Sequence, residues 1–359
     1  MSKYSSELIS NIVEEKKKVF QEIKENASEG IVVYGAGFQG KWAVEYLKNS
    51  EANVKYIVDG NPDKWGSFMK GIEIIGPDDE RINEYPRMLI AISYFVKDIE
   101  QKFAERNIAI LPFNVYFVLE HLEDYSYARD TFLHDDKSKE TYNAILYAIL
   151  TGNKTSCEDV MVVPQYFVLN EFCGAIGNEI FVDIGAYVGQ TLEEFVRIHE
   201  GMFKHIYVFE PGKKQFELIK KRSNWLCEMW GIDGEKITLE NAGISDKTTK
   251  MGNSIVDAVA PNNSLVASGD DVMVYSLDDY FEDEKVTFIK VNAEGMELNV
   301  IEGAKKLIKE YTPKLAIAVY HHPEDLYKIV QRIYEINPKY RFKLRLHMPE
   351  QAHYILYCY

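Results

Sequence analysis

The chain has 359 residues, 46% hydrophobic and 27% charged, a length comfortable for two domains and a composition that excludes wholesale disorder. Its formal net charge of −15 repels phosphate backbones and anionic membrane surfaces, so no nucleic-acid partner is expected. The four cysteines Cys157, Cys173, Cys227 and Cys358 form no CxxC pair, and no stretch reaches about 18 consecutive apolar residues, so a zinc knuckle, a disulfide framework and a membrane span are all disfavoured.

The opening MSKYSSELISNIVEEKKK lacks the apolar core of a signal peptide, which together with scattered reduced thiols reads as a cytoplasmic protein. Residues 4–27 have helical spacing, with Leu8, Ile9, Ile12, Val13, Phe20 and Ile23 near one face. The strand IVVYGAG (31–37), a helix from Gln39 to Lys48 and the strand VKYIVD (54–59) follow. Shorter strands GIEII (71–75), RMLIAIS (87–93) and AILPF (109–113) complete a strand–helix alternation that implies a parallel sheet. The resulting division is an N-terminal helix over 1–28, a small Rossmann-like domain over 29–120 and an aromatic, charged helical connector over 121–164.

Within the first alternation, Gly35, Gly37 and Gly40 form a GxGxxG loop that follows a strand and opens a helix. Glycines there allow a tight turn and close backbone approach, and the helix N-terminus supplies N–H donors to phosphate. Asp59, ending the second strand, could accept hydrogen bonds from ribose hydroxyls, which makes this loop a candidate second nucleotide site. The alternative is that the glycines only let strand and helix pack closely. The stretch 31–78 resembles the small N-terminal Rossmann-like domains of sugar-modifying enzymes, some of which hold a nucleotide-sugar.

A second alternation starts near residue 166: EIFVDIGA, HIYVFEP, KITLENAG, VTFIKVNAEG, KLAIAVYHH, YRFKLRLHM and HYILYCY. The last two are separated by a short loop at PEQA and should form an antiparallel hairpin. The first strand ends at Asp183, and Gly185 and Gly189 open the next helix, leaving room for a bulky ligand at the carboxyl end of the strand. The neighbouring strand ends at Glu210, whose carboxylate can take both hydroxyls of a ribose. Clustered basic residues are absent from this loop, so a cationic ligand bearing an amino acid and a nucleoside suits it better than a phosphate.

Residues 165–359 resemble the FkbM family of S-adenosylmethionine-dependent methyltransferases, through FVDIGAYVGQT, VFEP, ENAGISD, YSLDDY, IKVNAEGMELNVIEGA and PKLAIAVYHH. The resemblance implies an α/β protein of two Rossmann-like domains, the C-terminal one a class I methyltransferase sheet of seven strands with the last antiparallel. It also implies S-adenosylmethionine as cofactor, with Asp183, Gly185, Ala186 and Gly189 around its methionine portion, Glu210 at the ribose, and Asn241 and Ala242 near the adenine. Family members usually carry an acidic residue where this chain has Asn292, and the loss of charge there weakens any metal proposal. Glu294, just past the strand end, is favoured as a site residue over Glu297, which reads as a charge on the first turn of the next helix. His321, of the His321-His322 pair, could take the acceptor's proton.

The function these features imply is methyl transfer to a small-molecule hydroxyl, carried by a sugar, nucleotide-sugar or glycan precursor, with an oligomer allowed. One alternative is an oxidoreductase or epimerase using NAD or a nucleotide-sugar at the first glycine loop, disfavoured by the lack of a Ser/Tyr-x-x-x-Lys pattern beside it. The other is a non-catalytic cofactor-binding protein, motivated by Asn292.

Overall fold

A computed structural model describes residues 3–92, 96–173, 177–251, 272–348 and 353–359. The chain divides into two compact units, residues 1–123 with 145–154, and residues 124–144 with 155–359. The PEQA loop (349–352) and Ser93 lie outside the described residues.

The first unit opens with helix α1 (Ser6–Glu25), capped by Ser5, whose side chain accepts from Leu8 N–H; Ile9, Ile12 and Ile23 of its apolar face are buried. Strands β1 (Ile31–Tyr34), β2 (Val54–Val58), β3 (Phe68–Met69), β4 (Ile72–Ile75), β5 (Arg87–Ile90) and β6 (Ala109–Pro112) form a sheet in the order β3-β4-β2-β1-β5-β6. All pairs are parallel except β3 with β4. Helix α2 (Phe38–Asn49) follows β1, and α3 (Val96–Phe103) and α4 (Phe113–Glu120) complete this part. Val32, Tyr34, Val58, Met88, Ile90 and Phe103 bury together on one side of the sheet.

Two of the three loop glycines are explained by packing. A Cβ on Gly40 would lie 1.8 Å from the Gly35 carbonyl oxygen, and one on Gly35, at φ +118°, would lie 2.6 Å from the Ala91 carbonyl oxygen. We expect Gly40→Ala to destabilise the first unit by roughly 1–3 kcal/mol, because main chain cannot yield as a side chain does. Urea unfolding of the full chain, read by hydrogen exchange at β1 and β2 amides, checks this; unchanged protection would refute it.

Helices α5 (Leu122–Phe132) and α6 (Asp136–Thr151) follow, α6 beginning in the second unit and ending in the first. In the second unit, β7 (Ile180–Ile184), α7 (Gln190–Ile198), β8 (His205–Phe209), α8 (Lys213–Trp230) and β9 (Ile237–Glu240) alternate as expected. KITLENAG is not one strand, however. It breaks at Asn241, and β10 (Ala242–Ile244) joins β11 (Thr249–Met251) and β12 (Val272–Tyr275) in a separate sheet of order β10-β12-β11.

Strands β13 (Phe288–Val291), β14 (Lys314–Ala318), β15 (Phe342–Leu346) and β16 (Tyr354–Cys358) complete the main sheet. Among the described residues it has seven strands in the order β15-β16-β14-β13-β7-β8-β9. The last strand, β16, runs antiparallel to both its neighbours and the other pairs are parallel, the architecture expected of the C-terminal part. Its central strands read as continuous apolar runs because both faces are covered, and every residue of β7 and β13 is buried. The chain reverses its direction of travel across the sheet between β7 and β13, and ligands of open α/β sheets bind at such a switch point beyond the strands' carboxyl ends.

Candidate active site at the switch point

Main-chain pairing sets up the site. Ile184 lies beside Phe209 on one side and Val291 on the other, so the β7, β8 and β13 loops leave the sheet at one level. Gly185, at φ +72°, passes so close to β13 that a Cβ would sit 1.9 Å from the Asn292 carbonyl oxygen. Gly185 and Ala186 N–H donate to the Phe209 carbonyl at 3.0 and 3.3 Å. Gly189, at φ +81°, caps α7 without a side chain in the way.

Glu210 is 5% exposed, and its two carboxylate oxygens accept from different main-chain donors: Oε1 from Gly212 N–H and Oε2 from Tyr187 N–H, each at 2.8 Å. Burial raises its pKa, and these two donors oppose the rise. Beside it, Gln215 Oε1 is buried with no hydrogen-bond partner among the described residues. A Cβ on Gly212 would lie 2.5 Å from Gln215 Oε1 and 2.9 Å from Glu210 Oε1, so the two acceptor oxygens lie together against the Gly212 main chain. That acceptor pair fits a ligand bringing hydroxyl donors, as a ribose does. Asn241 Nδ2 donates to the Glu210 and Pro211 carbonyls at 2.9 and 3.1 Å, which fixes the turn after β8. Ala242 is buried in β10.

Asp183 is not at the surface of the loop. It is fully buried, and Lys290 Nζ, itself 2% exposed, lies 2.8 Å from its Oδ1 in an ion-pair contact outside hydrogen-bond angles. The same ammonium donates to the Ile184 and Gly185 carbonyls at 3.2 and 2.8 Å. Asp183 and Lys290 are register partners on adjacent strands, so the pair is built into the sheet and holds the glycine loop from beneath. Sequence reasoning passed over Lys290, although a lysine inside the apolar run FIKV was a signal that it needed a buried partner.

Asn292, at the end of β13, is bracketed by two tyrosines. Its Nδ2 donates to Tyr166 Oη at 3.2 Å, and Tyr320 Oη donates to its Oδ1 at 3.3 Å. Its side-chain oxygen carries no charge and already accepts one hydrogen bond, which suits a polar wall better than a metal ligand. Among the described residues no group of three or more His, Cys, Asp or Glu side chains could hold a metal ion.

The loop after β13 wraps around Glu297. Glu297 is the first residue of the helix Glu297–Glu302, as a charge on its first turn, but it is also fully buried. Its Oε1 accepts from Ala293 N–H at 2.7 Å and its Oε2 from Gly295 N–H at 3.0 Å. His321, just past β14, brings Nδ1 to 2.9 Å from Glu297 Oε1 in an ion-pair contact outside hydrogen-bond angles, while Nε2 lies 4.0 Å from Glu294 Oε2. Glu294, at φ +54°, is half exposed where Glu297 is fully buried. The structure thus brings Asn292, Glu294 and His321 to one loop cluster and adds Glu297, Tyr166 and Tyr320, which sequence reasoning had not assigned to the site.

In the first unit, Asp59 Oδ2 accepts from Ala36 N–H at 2.8 Å and pairs with Lys64 at 3.1 Å, while its Oδ1 accepts from Asn61 N–H at 2.9 Å. Both oxygens therefore already serve the glycine loop and the turn after β2. A Cβ on Gly37 would meet nothing within 4 Å.

An open α/β sheet with an antiparallel last strand, a glycine loop at its switch point and a buried carboxylate on the adjacent strand end defines a class I methyltransferase-type domain. Residues 183–344 match the family described as Methyltransferase FkbM domain, and that domain supports a methyltransferase function. Residues 27–110 match the family described as C2185-like, N-terminal. Among curated proteins none matches the sequence. The Methyltransferase FkbM from Methylobacillus flagellatus KT is 22% identical with a TM-score of 0.60, over 98% of this chain and 98% of that one, a likeness of fold. A rRNA methylase from Streptococcus thermophilus is 14% identical, with a TM-score of 0.35, over 55% of this chain and 96% of that chain. UDP-D-quinovosamine 4-dehydrogenase from Vibrio fischeri is 22% identical, with a TM-score of 0.21, over 23% and 74%. These last two likenesses are too weak to bear on the argument. No described helix is long and apolar enough to cross a membrane.

Proposed function

We propose that this chain transfers the methyl group of S-adenosylmethionine to a hydroxyl of a small, sugar-containing acceptor. The observation that carries the reading is the acceptor pair beyond β8: Glu210, which accepts from Tyr187 N–H of the glycine loop, and Gln215 Oε1 in the first turn of α8, unpartnered among the described residues. Glu210 and Gln215 would hold the ribose hydroxyls, and the 185–189 turn would border the methionine portion. The sulfonium of the donor supplies a methyl group already activated for transfer, so alignment and exclusion of water carry most of the protein's contribution. Asn292, held between Tyr166 and Tyr320, offers a polar wall to an acceptor hydroxyl, and the neutral form of His321 takes its proton.

Calorimetric titration of the full chain with S-adenosylmethionine tests the reading. Glu210→Ala is expected to weaken binding about tenfold to a hundredfold, the loss of a hydrogen bond to a charged acceptor. Failure of the folded wild-type chain to bind, or an unchanged affinity in the variant, would remove the proposal. Release of S-adenosylhomocysteine with a panel of nucleotide-sugars then identifies the acceptor class.

A further inference from the structure

Among the described residues, the 0%-exposed Glu297 carboxylate has its two oxygens held by main-chain N–H groups of its own loop, and it reaches the side of the His321 ring away from Glu294. The two ring nitrogens therefore have different surroundings. Nδ1 faces a buried, main-chain-anchored carboxylate, and Nε2 faces a half-exposed one at 4.0 Å. Of the two, the nitrogen nearer its carboxylate, Nδ1 at 2.9 Å against 4.0 Å for Nε2, retains its proton, which leaves the lone pair on Nε2.

We propose that Glu297 is a positioning residue that holds His321 in the tautomer with the proton on Nδ1, making Nε2 the base for the acceptor hydroxyl. The role of the base rests on the methyl transfer proposed above. In the balanced step the acceptor oxygen bonds to the methyl carbon as the carbon–sulfur bond breaks, and the sulfur keeps that electron pair as a neutral thioether. The hydroxyl proton passes to Nε2, and the resulting imidazolium lies between Glu297 and Glu294.

Several titratable neighbours of the ring among the described residues bear on its titration, including the adjacent His322, whose pKa burial lowers. Burial lowers the His321 pKa, but Glu297, then Glu294 and Asp325 at the start of the helix Asp325–Ile336, together hold it above the ordinary imidazole value. Asp325 Oδ2 accepts from His322 N–H at 2.8 Å, and burial with the adjacent Glu297 charge keeps its carboxyl well above the usual range. His353, before β16, is lowered by burial and by the His321 charge, and the Tyr320 ring lies 4.4 Å from the His321 ring. The folded pKa of His321 is thus raised. Its contribution to stability is fully present below the unfolded value, about 6.5, and is lost as pH rises through the folded value. The neutral, base-competent ring appears only on the alkaline side of that folded value.

The test is a nitrogen-15 and carbon-13 NMR titration of histidine-labelled full-length protein, with His321→Gln assigning the resonance. In the wild type His321 is expected to titrate above the ordinary imidazole value and, once neutral, to carry its proton on Nδ1. Glu297→Gln keeps the shape and removes the charge, so the midpoint should fall at least tenfold in proton affinity, while Glu297→Asp should restore part of it. A neutral wild-type ring protonated on Nε2 overturns the proposal without any variant, and so does an equal midpoint in the wild type and Glu297→Gln. Calorimetry with S-adenosylmethionine on the same samples separates the two readings. A chain that shows the tautomer and the shift but binds no donor retains the dyad and loses the methyl-transfer proposal.

Discussion

A Gly185→Ala variant is expected to lose roughly 2–4 kcal/mol of stability in the second unit together with its affinity for the methyl donor. Two costs coincide at this position. The φ of +72° disfavours any residue with a Cβ, and the added methyl would lie 1.9 Å from the Asn292 carbonyl oxygen. That oxygen cannot retreat easily, because β7 and β13 are paired along their length and Asn292 N–H donates to the Ile184 carbonyl. Gly189→Ala is the internal comparison. It also sits at positive φ, but its nearest neighbour is the flexible Arg222 side chain, at 3.2 Å, so only the backbone cost of about 1 kcal/mol should remain. Urea unfolding read by hydrogen exchange at β7 amides gives the stabilities, and calorimetry gives the affinities. Equal losses in the two variants would show that contact with β13 is not what fixes this turn.

The sheet was legible because its central strands are apolar runs ended by Gly or an acidic residue, and a parallel strand buried on both faces leaves that trace in a single sequence. Glu210 and the 185–189 turn were legible for the same reason: each belongs to one strand end and needs no distant partner to be recognised. Residues whose meaning depends on register between distant strands were not legible. Lys290 gains its role only by lying beside Asp183, more than a hundred residues earlier in the chain. Glu294 was favoured over Glu297 because it comes first after the strand, yet Glu294 stays half exposed while the loop amides gather on Glu297. The split of KITLENAG follows the same logic. Asn241 Nδ2 ties the strand break to the turn after β8, and β10 beyond it pairs with β12 in another sheet.

Lys290→Met should be the most damaging single change in the second unit, with a loss of about 3–5 kcal/mol. The substitution keeps most of the side-chain volume but strands the Asp183 carboxylate, whose surroundings are fully buried. Two carbonyls, those of Ile184 and Gly185, lose a donor at the same time. A buried ion pair contributes little net stability against a well-packed apolar pair, so the function of this one is geometric: a single ammonium ties a carboxylate and two carbonyls of the donor-site turn. The double variant Asp183→Asn with Lys290→Met tests this separation. Removing the stranded charge should recover much of the stability, whereas donor affinity should stay low because the Gly185 carbonyl remains unheld. Hydrogen exchange at β7 and β13 amides and donor calorimetry read the two effects independently. Should the double variant be no more stable than Lys290→Met alone, the stranded carboxylate is not the cause of the loss. Should it bind the donor as the wild type does, the ammonium does not hold the turn.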